Sequence, residues 1–412
     1  MLNIESTAIE ARDNLISQKV ATLPPSGIRK FFDLLSSLED ILSLGIGEPD
    51  FVTPWHIREA GTYSLEKGYT MYTSNSGIPE LRQELASYLD LHYGISYHPE
   101  HEILVNTGSS EGLDLALRAI INPGDEVIIP DPCYVAYPAD IILAGGVPIL
   151  VPTNEESNFV VRATDIEARI TKQTKAILVG YPANPTGAVM SKKEARAIAE
   201  LAKKHDLLVI SDEIYARLVY GGEHICFPSL PGMRERTILI SGLSKSHAMT
   251  GWRIGYVAAE RRFIQALTKI HQYTMLSAPT IAQMAAIEAL RNGEAEVEKM
   301  VQEYNRRRRF MVKRLNEIGL SCFEPKGAFY AFPSIKATGM SSEEFAEKLL
   351  LEEKVAVVPG TAFGACGEGF VRCCYATSLS NIEEALRRME RFIKKQAKHV
   401  TTSPMERNAR SR

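Results

Sequence analysis

Seven short apolar runs constrain this chain more than any other feature. They lie at 103–105, 127–129, 149–151, 176–179, 207–210, 238–240 and 254–259. Several are separated by helical patterning, as at 112–121 and 192–205, the second opened by a capping box, Ser191-x-x-Glu194. Apolar strands with no polar face must be covered on both sides, and alternation with helices supplies that cover. We therefore expect an α/β fold in which a large domain, 45–290, carries a mostly parallel seven-stranded sheet flanked by helices. Helices are also expected over 55–67 and 79–92, the latter with Pro79 in its first turn and Gly94 just past its end. Beyond 294 the rhythm changes to a long charged helix (294–318), a strand (328–332), a helix (342–353), apolar runs at 355–358 and 370–372, and a last helix from 381 to about 395. These predict a smaller α+β domain, 291–395, completed by two helices within residues 1–44. The four-arginine run Arg306 to Arg309 reads as the solvated face of its helix, and the tail 396–412 as disordered.

Composition removes several function classes. Lys plus Arg number 47 against 50 Asp plus Glu, a formal net charge of −3 with both signs interspersed, so neither nucleic acid nor an anionic membrane is expected as partner. No apolar run approaches the ~20 residues of a membrane helix. Acids come early in the first residues, without the basic-then-apolar pattern of a secretion signal. Six cysteines stand at 133, 226, 322, 366, 373 and 374 with no metal-type C-x-x-C pair, which fits free thiols and a cytoplasmic location.

In open parallel sheets ligands gather at the carboxyl ends of the strands, so the residues delivered there are the candidates for chemistry. The first run ends in Asn106-Thr107-Gly108-Ser109-Ser110, a small-residue turn opening a helix. Its amides, hydroxyls and helix dipole suit a phosphate, with a plain capped turn as the alternative. The second delivers Tyr134, either an aromatic plate or a rim tyrosine. The fourth delivers Asn184 between Pro182 and Pro185, a stiffly presented amide or a structural turn. The fifth delivers Asp212, then Tyr215; a carboxylate directly after Leu-Leu-Val-Ile needs a cationic or donor partner. The sixth delivers Lys245 among Gly242 and Ser244, with Arg253 eight residues on. Partial burial lowers a lysine's pKa and fits it for imine formation, against a solvated surface lysine as the bland reading. Phosphate cradle, aromatic plate, amide, carboxylate, amine and arginine together match pyridoxal phosphate.

With those residues in place the chain resembles the class I aminotransferases, of fold type I among pyridoxal-phosphate enzymes. It is most similar to the bacterial subgroup of aspartate and N-acetyl-diaminopimelate aminotransferases. The motifs are GIGEPD, YTMYTSNSGIPELR, ANPTG, SDEIY, SKSHAMTGWRIGY, GAFYAFP, VAVVPG and VRCCYAT, in that order from about Ser26 to Arg391. The resemblance implies that Lys245 holds pyridoxal 5′-phosphate as a Schiff base and then shuttles the substrate α-proton. Asp212 would keep the ring nitrogen protonated, Asn184 and Tyr215 would bond the phenolic oxygen, and Tyr134 would stack on the ring. Gly108, Ser109, Ser110, Ser244 and Arg253 would hold the phosphate. Tyr72 would reach the phosphate of a neighbouring subunit, making a homodimer part of the site. Arg372 would clamp the substrate α-carboxylate bidentately beside Gly47. No metal is implied.

The implied reaction is ping-pong transamination between an L-amino acid and a 2-oxo acid, with glutamate and 2-oxoglutarate as one pair. Aspartate enzymes of the subgroup carry a lysine in the phosphate turn where this chain has Ser110 followed by Glu111. Alanine, aspartate and an acylated diamino acid therefore stay open as donors. Arg29 is a candidate for distal charge recognition, with a salt bridge at a helix start as the alternative. A β-lyase on the same scaffold shares every cofactor residue. A non-enzymatic sensor would need an appended DNA-binding segment that the sequence lacks, and a Rossmann dehydrogenase fails because no strand leads into G-x-G-x-x-G.

Overall fold

The computed structural model describes residues 15–23 and 40–401. A two-residue strand, β1 (Leu42–Ser43), precedes the first long helices, Trp55–Glu66 and Pro79–Tyr93. All seven apolar runs then become strands of a single sheet. They are β2 (Ile103–Asn106), β3 (Glu126–Asp131), β4 (Val147–Pro152), β5 (Thr174–Gly180), β6 (Leu208–Asp212), β7 (Thr237–Gly242) and β8 (Gly255–Ala258), in the spatial order β2-β8-β7-β6-β5-β3-β4. The only reversed strand is β8, antiparallel to both β2 and β7.

Alternating side chains along each strand enter opposite layers, which explains why the runs are apolar throughout. Leu104, Ile238, Ile240 and Val257 pack under the helices Ser109–Ile120, Ala136–Ala144 and Arg261–Thr274. Ile103, Val105 and Leu239 face the helices Pro79–Tyr93 and Thr280–Asn292, while Ile177, Val179 and Val209 face Lys192–Lys204. The capping box that opens Lys192–Lys204 is formed in both directions between Ser191 and Glu194.

The expected strand at 328–332 is shorter, β9 (Tyr330–Ala331), and the run at 355–358 divides at Val357 into β10 (Val355–Ala356) and β11 (Val358–Pro359). Strand β12 (Val371–Cys374) lies between β11 and β9 in a small antiparallel sheet. β10 pairs instead with β1, Leu42 opposite Val355. That pairing brings the start of the Gly45–Asp50 loop beside the small sheet, where the amide of Cys374 bonds to the carbonyl of Leu44.

Two expectations are corrected. The arginine run is not a solvated face: Arg306 and Arg309 are exposed, but Arg307 and Arg308 are buried. Arg307 Nη1 reaches both oxygens of Asp50 at 2.8 and 2.9 Å and Nε reaches Glu303 at 2.8 Å. Arg308 Nη1 bonds Glu324 at 2.7 Å and the Pro325 carbonyl at 2.9 Å. A 3.6-residue period must turn some of four consecutive side chains inward, and these two are buried because each finds an acidic partner. The tail is also helical for longer than expected, since the last helix spans Leu379–Thr401. Lys395 bonds Glu353 at 2.7 Å, and so continues the face that packs on the preceding helix. Arg29, the expected helices at the start of the chain outside 15–23, and 402–412 lie outside the described residues.

Candidate active site

The carboxyl ends of β2, β3, β5, β6 and β7 open on one cavity of about 430 Å³. Because β8 runs backwards, its beginning lies at this same edge, with Gly255 paired to both Gly242 and Asn106. The β7–β8 connection therefore returns Arg253 to the mouth from which Lys245 departs. Gly47, Ser109, Ser110, Tyr134, Asn184, Asp212, Tyr215, Ser244, Lys245, Arg253 and Arg372 all line this cavity.

Gly108 lies just behind the lining at φ 83°, where a side chain would be strained, and a Cβ there would meet Arg253 Nη2 at 2.6 Å. Among the described residues Arg253 bonds only carbonyls, with Nη1 3.0 Å from Thr250 O and Nη2 3.5 Å from Thr107 O. Tyr72 is 82% exposed and is not part of the cavity of its own chain. Its loop is pinned by Asn75 to the Leu276 carbonyl (2.6 Å), by Thr280 to the Met71 carbonyl (2.7 Å) and by Gln283 to Thr73 (2.9 Å).

Lys245 Nζ donates to the carbonyl of Gly47 at 2.8 Å and has no carboxylate in ion-pairing range among the described residues. Burial brings its ammonium down to about 8. Asp212 accepts from the Tyr137 hydroxyl at 2.9 Å and from the Ile214 amide at 3.2 Å. Burial pushes its carboxyl up to about 6, against the pull of those two bonds.

Arg372 is buried at 3% exposure, its guanidinium 4.5 Å from the ring centre of Tyr330 and 4.8 Å from that of Phe363. Nη1 donates to Asn184 Oδ1 at 2.8 Å and Nη2 to the Gly45 carbonyl at 2.7 Å, while Nε has no partner among the described residues. A guanidinium has five N–H donors, so this one keeps several for an incoming anion. The same bond occupies the acceptor of Asn184 and leaves its amide N–H groups to donate. Gly47 stands close by, where a Cβ would meet the Tyr330 hydroxyl at 2.5 Å.

The sequence reading missed Tyr137 and Tyr330. Tyr330 Oη lies 2.7 Å from Tyr215 Oη, and Tyr137 supports Asp212. Tyr137 carried one usable signal, its position one helical turn beyond Tyr134; the rings meet edge to face at 5.6 Å. Glu48 and Thr250 also line the cavity, joined at 3.3 Å.

The pocket's charges fit a planar phosphorylated cation. Lys245, Arg253 and Arg372 face one cavity without an ion pair among the described residues, and Asp212 is a carboxylate without a cation. Such groups weaken the fold while they lack partners, and the signs can be stated. Asp212, raised from its ordinary 3.8, costs stability that appears as pH rises through about 6. Lys245, lowered from its ordinary 10.5, costs stability that appears as pH falls through about 8. Near neutral pH both costs are present. Asp212→Asn is accordingly expected to stabilise the cofactor-free protein there by on the order of 1–2 kcal/mol. In denaturant titrations the gain should fade as pH falls from about 6 towards 3.8.

Comparison with known proteins agrees with this geometry. The sequence model of the family described as aminotransferase class I and II matches residues 39–389. A putative aminotransferase of Bacillus subtilis strain 168, YugH, is 57% identical over 380 residues, covering 92% of this chain and 98% of that protein. Aromatic-amino-acid aminotransferase 2 of Thermococcus litoralis is 46% identical, with 92% and 98% covered. The structure of aspartate aminotransferase from Thermus thermophilus with maleate superposes at a TM-score of 0.87 and 40% identity, covering 91% of this chain and 99% of that one.

Proposed function

Since the chain belongs to the class I and II aminotransferases and is an enzyme of that activity, we propose that it moves an amino group between an L-amino acid and a 2-oxo acid at the Lys245 cavity. The observation that carries this reading is the set of three cations, Lys245, Arg253 and Arg372, and two carboxylates, Asp212 and Glu48, that line a single pocket with no ion pair to any of them among the described residues. Pyridoxal 5′-phosphate, when bound, supplies an aldehyde that condenses with amines and a ring that withdraws electrons from the α-carbon.

The chain's own residues then have separable tasks. Lys245 Nζ would hold the aldehyde end and would carry the α-proton between the substrate α-carbon and the cofactor. Asp212, braced by Tyr137, holds a proton on the ring nitrogen. Asn184 donates its amide to the ring oxygen beside Tyr215, and Tyr134 covers the ring face. Gly108, Ser109, Ser110, Ser244 and Arg253 receive the phosphate. Arg372 binds the α-carboxylate with Gly47 alongside. Tyr72, exposed on a pinned loop, is assigned to the phosphate of a second copy, which makes the working unit a homodimer. We also keep the division into 45–290 and 1–44 with 291–395. The large sheet lies wholly inside the first part, and β9, β11 and β12 inside the second.

Among the described residues no helix is long and apolar enough to cross a membrane, and we assign the enzyme to the cytoplasm. For substrates, we propose glutamate and 2-oxoglutarate as one pair. The second pair stays unassigned, because an aromatic and an aspartate enzyme stand at 46% and 40% identity. Incubation with [amino-¹⁵N]glutamate and a panel of 2-oxo acids tests this. Label should appear in a new amino acid, with 2-oxoglutarate formed in equal amount. In a parallel incubation with a sulfur amino acid that carries a β-leaving group and no 2-oxo acid, release of thiol, pyruvate and ammonia would mean β-lyase chemistry. Failure of every oxo acid to accept label would remove glutamate as the donor.

A further inference from the structure

The phosphate turn has a support that lies outside the cavity. Of the amides in the turn, Thr107 N–H is bound by Glu111 Oε2 at 2.5 Å, and Gly108 N–H by the Asn106 carbonyl at 3.0 Å. Glu111 N–H is bound by the Gly108 carbonyl at 3.0 Å. Ser109 and Ser110 line the cavity, and their amides, in the first turn of the helix Ser109–Ile120, have no partner among the described residues. The Glu111 carboxylate is itself fixed from behind. Its Oε1 lies 2.6 Å from Nδ1 of His271, a residue with no exposure on the helix Arg261–Thr274.

A carboxylate only accepts, so the imidazole is the donor of this bond; its Nε2 has no partner among the described residues. Burial works against the charged carboxyl, yet the bonds from His271 and Thr107 hold it below its ordinary range.

We propose that Glu111, held by His271, is a positioning residue that shapes the turn so that the Ser109 and Ser110 amides converge on the cofactor phosphate. This rests on the assignment of pyridoxal 5′-phosphate to the cavity and adds to it a pair of side chains that never touch the ligand. The reason is geometric. A carboxylate so close to the phosphate turn would repel a bound dianion if it pointed into the cavity. Turned inward, it ties down the Thr107 amide at the start of the turn. Only the two serine amides then remain to donate, backed by the positive end of the helix.

The test separates phosphate binding from general stability. Dissociation constants of pyridoxal 5′-phosphate and of pyridoxal, which lacks the phosphate, are measured on cofactor-free full-length protein by fluorescence titration. The wild type should prefer the phosphorylated form; no preference would overturn the cofactor reading itself. Glu111→Ala should weaken the phosphorylated form by about tenfold or more, the worth of one charge-assisted bond, and leave pyridoxal unchanged. Glu111→Gln, which still offers an oxygen to Thr107, should keep most of the preference. His271→Phe removes the support and keeps the carboxylate, so a smaller loss in the same sense is expected; it also serves if Glu111→Ala does not fold. Equal losses for both ligands in the Ala and Phe variants, or full retention of the preference, would overturn the role of the pair.

Discussion

Lys245→Ala is expected to lower transamination by roughly ten-thousandfold or more, because it removes both the amine that holds the cofactor and the base that moves the α-proton. The environment of Nζ suits both tasks. It is held by one carbonyl bond at 2.8 Å and lies 5.9 and 5.7 Å from the ring centres of Tyr215 and Phe329. With its ammonium brought down to about 8, an appreciable neutral fraction exists near neutral pH. Lys245→Arg keeps a positive charge but cannot act as a nucleophile or as a base, so it should be as inactive as the Ala variant. Exchange of the substrate α-proton, followed by NMR in deuterated water, checks the proton step apart from product formation. Retained exchange in either variant would place the base elsewhere.

The second large effect is expected at Arg372. Arg372→Lys should raise KM about a hundredfold for amino and 2-oxo acids alike, with cofactor affinity nearly unchanged, the usual cost of losing one partner of a buried charge pair. Lysine keeps the charge, but it lacks the planar fork that bonds Asn184 and Gly45 while leaving donors free, and it cannot lie flat between Tyr330 and Phe363. Steady-state kinetics with two amino acids of unlike side chain distinguish this from a side-chain role. A loss confined to one of them would move Arg372 from the shared carboxylate to the specificity pocket.

What the sequence made legible follows from how local each signal is. An apolar run declares a covered strand within four to six residues, and in a parallel sheet the residue after it stands at the ligand edge. Asp212 and Lys245 were found in that way. The reversal of β8 leaves no trace in its own residues, because Gly255 to Ala258 is as apolar as a parallel strand would be. Tyr137 and Tyr330 were hidden because their partners are 75 and 115 positions away along the chain. The burial of Arg307 was hidden in the same way, since Asp50 is 257 positions away and four consecutive arginines look solvated until such a partner is in view. Glu111 and His271, 160 positions apart, could not have been paired by spacing.

The central claim is that Lys245 carries the cofactor, and it can be tested on the bond itself. Borohydride reduction of the purified protein loaded with pyridoxal 5′-phosphate, followed by peptide mass mapping, should find the phosphopyridoxyl group on the peptide containing Lys245. Lys245→Ala treated in the same way should carry no label. Reduction that labels another lysine, or leaves the wild-type protein unlabelled, would contradict the account.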